Sequence, residues 1–222
     1  EMDGNASLKW LENIEGPILL AASTHKGEDE IVLEAYEKIM RSAERRAQSA
    51  KTGLQVSDLK LIIAPRHPER FDDVGGIIKM RNLEYIRRSE LDNLRSADII
   101  PGIILLDTMG ELSRLFSGAS VAFVGGSLVP CGGHNMLEPA YYSKPIIFGP
   151  HMDNFPMAGD FLETSAAIEV KDADDIADTV VELLNDNDKA VSMGRNAKLI
   201  VEKNAGVVKK AVELVRRYIG PA

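Results

Sequence analysis

The chain has 222 residues, 45% of them hydrophobic, which suffices for an ample core in one large domain, the organisation we expect. A net charge of −8 without a long Lys/Arg tract argues against a dedicated nucleic-acid binder. Cys131 is the single cysteine, which excludes an internal disulfide framework and fits a reducing compartment; no apolar run approaches the roughly 18 residues needed to cross a bilayer, so the chain is expected to be soluble as given.

Short apolar runs alternate with amphipathic stretches, the pattern of a parallel sheet covered on both faces by helices. The first strand, 18–22, runs into Ser23, Thr24 and His25, whose hydroxyls can touch a phosphate or cap the next helix; capping is the safer expectation. That helix, 28 to about 49, opens with Glu28, Asp29 and Glu30 and ends in the basic stretch 41–51, the polarity a helix dipole prefers. The second strand, 59–64, delivers Arg66 and His67 between Pro65 and Pro68, which stiffen the loop. A guanidinium there suits bidentate contact with a phosphate or carboxylate, although a surface arginine in a turn fits the motif alone equally well. A helix over about 69–80 and a short strand near 84–87 follow.

The strand at 103–106 leads into DTMGEL, 107–112, where free backbone groups at the start of a helix over 110–117 can read a base edge. Glu111 equally suits a first-turn carboxylate. Next comes the strand at 121–124 and the most informative stretch, VAFVGGSLVPCGGHNMLEP. Gly125, Gly126, Gly132 and Gly133 let the backbone turn with positive φ and approach a ligand closely. Asn135 can cap a helix over 135–142 whose positive end favours an anion, and Glu138 can accept hydrogen bonds from paired hydroxyls such as those of a ribose. Strands at 146–148 and 167–170 follow, with His151 and Asn154 after the first of them, and helices at 155–163, 174–184, 189–204 and 206–218. There is no internal repeat. In open α/β sheets ligands bind beyond the carboxyl ends of the strands, and each polar group of interest follows a strand directly.

Asp172, Ala173 and Asp174 spell an Asp-x-Asp pattern that in some transferases holds a metal, but a regular helix follows, so the aspartates are expected to cap it. The four histidines lack metal-ligand spacing, so no metal site is expected. Neither G-x-G-x-x-G nor G-x-x-x-x-G-K-[ST] occurs, which disfavours dinucleotide and triphosphate chemistry.

The string FVGGSLVPCGGHNMLEPAYYSKPIIFGPHMDNF, with STHKGED, APRHPERF and LLDTMGELSRLF in the same order, resembles the C-terminal half of the 3-deoxy-D-manno-octulosonic acid (Kdo) transferases. The resemblance covers most of the chain. It implies a Rossmann-like parallel sheet flanked by helices, one half of a GT-B glycosyltransferase, with 1–222 the nucleotide-sugar (CMP-Kdo) binding domain and the N-terminal acceptor domain absent. Such enzymes move Kdo from CMP-Kdo to lipid A precursor at the cytoplasmic face of the bacterial inner membrane, with inversion at the anomeric carbon. The missing half would carry the membrane contact, the acceptor site and the general base, so no residue here is expected to be catalytic, no cofactor is expected beyond the donor substrate, and this chain alone is expected to be inactive. Carried over by position, the resemblance implies that Arg66 and His67 meet the donor's phosphate or carboxylate and that Met109, Gly110 and Glu111 line the cytidine pocket. Gly132, Gly133, His134 and Asn135 would surround the phosphate and Glu138 the ribose. His151 and Asn154 would lie near the sugar, while Ser23 and Thr24 remain possible phosphate contacts. Cys131 departs from the basic or polar side chain expected of relatives at its position, which removes any phosphate contact made by that side chain but not those of the backbone.

Two alternatives stand beside this reading. One is another GT-B nucleotide-sugar enzyme, either a different transferase or an epimerase, which a preference for uridine or adenine nucleotides would reveal. The other is a non-catalytic nucleotide-binding module, in keeping with the absence of an evident base.

Overall fold

The computed structural model describes residues 8–48, 58–94 and 99–219, from residue 206 onward as backbone alone. Among them seven strands build one wholly parallel sheet: β1 (Ile18–Thr24), β2 (Lys60–Pro65), β3 (Tyr85–Arg87), β4 (Ile103–Leu105), β5 (Val121–Val124), β6 (Ile146–Phe148) and β7 (Ala167–Glu169). Their spatial order is β3-β4-β2-β1-β5-β6-β7. All seven fall near the positions expected for strands; the inner ones are apolar at nearly every position because they are buried on both faces, whereas the edge strands β3 and β7 carry Arg87 and Glu169.

Alternate residues serve two layers. Leu19, Leu61, Ile63 and Phe123 face Val32, Leu33 and Ile39 of α2 (Glu28–Gln48), Val74 and Ile78 of α3 (Phe71–Met80), and Ile176 and Val180 of α8 (Ala173–Asn185). On the other face, Ile18, Leu20, Ile62 and Ile104 meet Trp10 of α1 (Lys9–Glu12) and Leu115 of α5 (Leu112–Leu115). The same face continues through Val124, Ile146 and Phe148. These pack on Ala140 of α6 (Leu137–Tyr141), Phe161 of α7 (Ala158–Glu163), and Ala197 and Ile200 of α9 (Asn187–Ile219). One further short helix, α4 (Arg88–Leu91), follows β3. Each fully buried Leu or Phe contributes about 1.5–3 kcal/mol, so neither layer is dispensable.

Several helices differ from expectation for local reasons. The helix expected over 135–142 shrinks to five residues, Leu137–Tyr141, since Gly132 and Gly133 sit at φ 86° and 73° and the chain re-enters helical geometry only after them. That over 69–80 begins as a 3-10 turn, Pro68–Arg70, and that over 110–117 closes as one, Phe116–Gly118. The expected break near residue 205 is absent: Gly206 lies within a continuous α9, at the modest penalty of about 1 kcal/mol that glycine imposes on a helix interior. Asp172 does cap α8, its Oδ1 accepting from the amides of Asp174 (2.9 Å) and Asp175 (3.0 Å). The last residues of the basic stretch 41–51 lie outside the described residues. Among the described residues no helix is long and apolar enough to cross a membrane.

The strand order itself locates the ligand crevice. From β1 the chain builds outward through β2, β4 and β3 on one side, then returns to build β5, β6 and β7 on the other. The crossovers therefore part between β1 and β5, and a cleft opens beyond the carboxyl ends of these two neighbours.

Candidate functional site

The two strands that flank the cleft end in unusual backbone. The register of β1 against β2 shifts between Ala22 and Thr24, leaving Ser23 as a bulge residue at φ 57°. Left-handed serine is uncommon and costs roughly 1–3 kcal/mol, a strain that bulges beside binding sites often carry because it re-aims a side chain. Ser23 accordingly lines the cleft. Across from it Gly125 follows β5, and a Cβ there would collide with the carbonyl oxygen of Ser23, so the two strand ends touch backbone to backbone.

A buried carboxylate ties these ends together. Glu28, at the start of α2, is fully buried. Its Oε2 accepts from the amides of His25 (2.9 Å) and Gly126 (2.6 Å), and its Oε1 from those of Ser127 (2.9 Å) and Leu128 (2.8 Å). Glu28 thus occupies amides of the glycine loop that the sequence leaves open to a phosphate. Beside it the buried Asp29 accepts from the Thr24 hydroxyl (2.6 Å) and pairs with Arg70, whose guanidinium also donates to the Thr24 carbonyl (3.1 Å). Burial pushes the Asp29 carboxyl up, against the hydrogen bonds from Thr24 and Arg70. Thr24 therefore belongs to this network and does not cap α2. Ser127 extends it to β6, donating to the Val124 carbonyl (2.5 Å) and accepting from the Gly149 amide (2.7 Å).

Above this floor lies a cleft of about 270 Å³ lined by Ser23, Arg66, Leu112, His134, Asn135 and Glu138. Asn135 organises one wall, accepting from the Leu137 amide (2.9 Å) and donating to Glu138 Oε1 (3.3 Å). The glycine turn is splinted from the far side by Asn154, whose amide donates to the Gly132 carbonyl (2.8 Å) and whose side chain donates to the Cys131 carbonyl (3.0 Å). A Cβ on Gly132 would strike that Asn154 side chain. The Gly133 amide is engaged by the Gly126 carbonyl (2.8 Å), whereas the amides of Gly132, His134 and Asn135 meet no acceptor among the described residues. Because α6 is only five residues long, its dipole is weak, and an anion here would rely on Arg66 and these amides more than on a helix tip.

His134 lies 2.8 Å, nitrogen to nitrogen, from His25, and His67 sets its ring edge-on to His25 at 5.5 Å. Burial, then the neighbouring His25, Arg66 and His67, push His134 down to about 4. Burial likewise pulls His25 below its ordinary value, with the Glu28 carboxylate opposing. Among the described residues no group of three or more His, Cys, Asp or Glu is arranged to hold a metal ion.

Of the residues singled out in the sequence, Ser23, Arg66, His134, Asn135 and Glu138 share the cleft, and His67 reaches it through His25. Gly132 and Gly133 do not line it but form the turn that leads into His134 and Asn135. His151 and Asn154 back that turn, the His151 amide donating to the Ser127 carbonyl (2.9 Å). The DTMGEL segment reaches the cleft through Leu112. Met109 is 70% exposed and Gly110 turns at φ 84°. Glu111 is held in a fork by Arg88, which donates to both carboxylate oxygens (2.9 and 3.1 Å), and accepts from Thr108 (3.2 Å), so its carboxylate fixes the segment in place. Glu28, Asp29 and Arg70 were not legible as site residues. The available signal was an acidic pair just behind a strand end, facing a glycine loop with surplus amide donors.

No family model matches the chain. Over 217 residues, 96% of its length, it is 38% identical to the 3-deoxy-D-manno-octulosonic acid transferase of Haemophilus influenzae, of which it spans 47%. The crystal structure of the C-terminal CMP-Kdo binding domain of WaaA from Acinetobacter baumannii matches with a TM-score of 0.72 and 33% identity, covering 86% of this chain and 91% of that one. WaaG, a glycosyltransferase involved in lipopolysaccharide biosynthesis, matches with a TM-score of 0.56 and 10% identity over 87% of this chain and 45% of its own, a likeness of fold alone. The fold is that of one half of a GT-B glycosyltransferase, and the chain spans about half the length of the curated relatives it matches. With 33% identity along an alignment that covers 91% of a solved CMP-Kdo binding domain, and 38% to a curated relative, the chain belongs to the family of the 3-deoxy-D-manno-octulosonic acid transferases.

Proposed function

We propose that this chain binds CMP-Kdo at the β1/β5 crevice and presents it for transfer of Kdo to lipid A precursor, at the cytoplasmic face of the inner membrane and with inversion. The observation that carries the reading is the convergence on one cleft of Arg66, Glu138, His134 and Asn135, the last two with backbone amides that meet no acceptor among the described residues. In this reading Arg66 and those amides meet the phosphate, Glu138 the ribose hydroxyls, and the segment around Met109 and Gly110 the cytosine edge. The leaving CMP gains charge on its phosphate as the sugar departs. A fixed guanidinium and backbone dipoles stabilise that charge without reorganising, and we propose that no metal is required.

The volume supports a half-site. At about 270 Å³ the cleft is smaller than the ~300–1,000 Å³ of a complete small-molecule site, as expected if an N-terminal half closes over it. That half would also supply the membrane contact and the base that takes the acceptor's proton. Support for the Kdo reading over a different GT-B enzyme comes from the 38% identity to a Kdo transferase over 96% of the chain and the match to a CMP-Kdo binding domain at 33% identity.

Calorimetric titration with CMP, UMP and ADP tests the donor reading. CMP is expected to bind best, and Arg66→Ala to weaken CMP by about tenfold or more, the value of one charge-assisted contact, while leaving cytidine unchanged. Preference for UMP or ADP would sink the assignment. Transfer activity restored by adding the N-terminal half would eliminate a purely non-catalytic module.

A further inference from the structure

His25 does not line the cleft, yet its ring meets the one that does. The Nε2 atoms of His25 and His134 are 2.8 Å apart, the ring centroids 5.0 Å apart, and the planes 15° from parallel. The centroid gap exceeds the nitrogen gap by the radii of both rings, so the imidazoles meet head to head in nearly one plane, joined by a hydrogen bond and not stacked face on. A single hydrogen fits between two nitrogens at this distance. One ring donates, the other accepts, and each fixes the tautomer of its partner.

The surroundings disfavour a charge on the pair. Facing His25 are Glu28 from α2, Arg66 and His67 from the loop after β2, and Arg70 from the following 3-10 turn. Facing His134 are His25, Arg66 and His67, while Glu138 shares its cleft. Glu28 is the one carboxylate that favours a charged His25, and its oxygens are already committed to four amides. An anion arriving beside Arg66 would reverse this balance, since the pair would then lie between an amide-saturated carboxylate and a fresh negative charge.

We infer that His25 is a positioning residue that fixes the His134 ring, and that the two imidazoles take up one solvent proton between them when an anionic phosphate diester enters the cleft. This rests on the nucleotide-donor reading above. The proton adds to the ring nitrogen that lacked one, turning the bond between the rings into a charge-assisted one and giving the cleft a second cation beside Arg66. No other bond changes.

Cytidine 5′-(methyl phosphate) separates the protein's protons from the ligand's, because its diester keeps a single charge between about pH 7.5 and 5. Its affinity for the wild-type chain is expected to rise on acidification, by up to about tenfold per pH unit below the pKa of the bound pair, while cytidine shows no such rise. His25→Gln places an amide where Nε2 was but cannot carry the proton, and His25→Ala removes the partner altogether. Both are expected to flatten the slope to less than about threefold over the range, with circular dichroism verifying the fold at each pH. A wild-type slope retained in His25→Gln overturns the inference and leaves the donor reading standing. Failure of the wild-type chain to bind either CMP or the diester at any pH overturns the donor reading, and this inference with it.

Discussion

Replacing Glu28 by glutamine tests whether one buried carboxylate holds the site together. Its two oxygens each accept from two backbone amides: His25 and Gly126 on one, Ser127 and Leu128 on the other. Glutamine keeps one oxygen and turns the other into an amide NH2 that only donates, so one buried and one partly buried backbone N–H lose their acceptor and face a donor. Each such orphan costs about 1–3 kcal/mol, which puts the expected loss near 3–4 kcal/mol against a total of about 5–15 kcal/mol. Glu28→Gln should therefore fold but unfold early. With a urea dependence of about 2 kcal/mol per molar, the midpoint is expected to fall by roughly 1.5–2 M. CMP affinity should fall in parallel, since the loop that carries the Gly132 turn loses its anchor. A midpoint shift below about 0.3 M would refute the reasoning, for it would mean that the amides find other acceptors at little cost.

Other substitutions probe separate parts of the argument. Gly125→Ala forces a Cβ into the Ser23 carbonyl and should cost about 2 kcal/mol or more, lowering Tm by roughly 4–8 °C in calorimetry, whereas Gly76→Ala, with open space around it on α3, should raise Tm slightly. Equal effects from the two would show that the strand ends are not locked together. Asp172→Ala removes the cap of α8 and should cost about 1 kcal/mol without altering CMP binding; a change in CMP affinity would place α8 in the site. His134 is held below its ordinary value of 6.5, at about 4, so the unfolded chain takes the proton first and stability should fall as pH drops through that window. For a half-exposed ring, solvent screening leaves about 1–2 kcal/mol of that loss. His134→Gln should remove this part of the urea stability profile, and an unchanged profile would assign the acid sensitivity to other groups.

The sheet was legible because a doubly covered parallel strand announces itself at every residue, and the loops after the strands could then be read as one edge. Arg66, His134, Asn135 and Glu138 were found this way, before their convergence was visible. Three things were not. Whether Glu28 faced solvent or the core depended on β1 and β5 being neighbours, which periodicity does not encode. The left-handed turn at Ser23 is imposed by a bulge between strands distant in sequence, not by local propensity. Helices α1 and α4, four residues each, are too short to display a 3.6-residue period. In the same way Glu111 read as a base contact or a helix-end charge because its partner Arg88 lies 23 residues earlier, on a helix the pattern did not reveal.

The bonds from Glu28 reach across 98 to 100 residues of chain. During synthesis the carboxylate therefore emerges long before the amides it needs, and an amino-terminal fragment ending ahead of β5 would leave it stranded beside an unfinished core. Closing so long a loop is entropically expensive, so pocket assembly is expected to be a late folding event that follows the docking of β5 onto β1. Bound CMP should accordingly slow unfolding far more than it speeds folding.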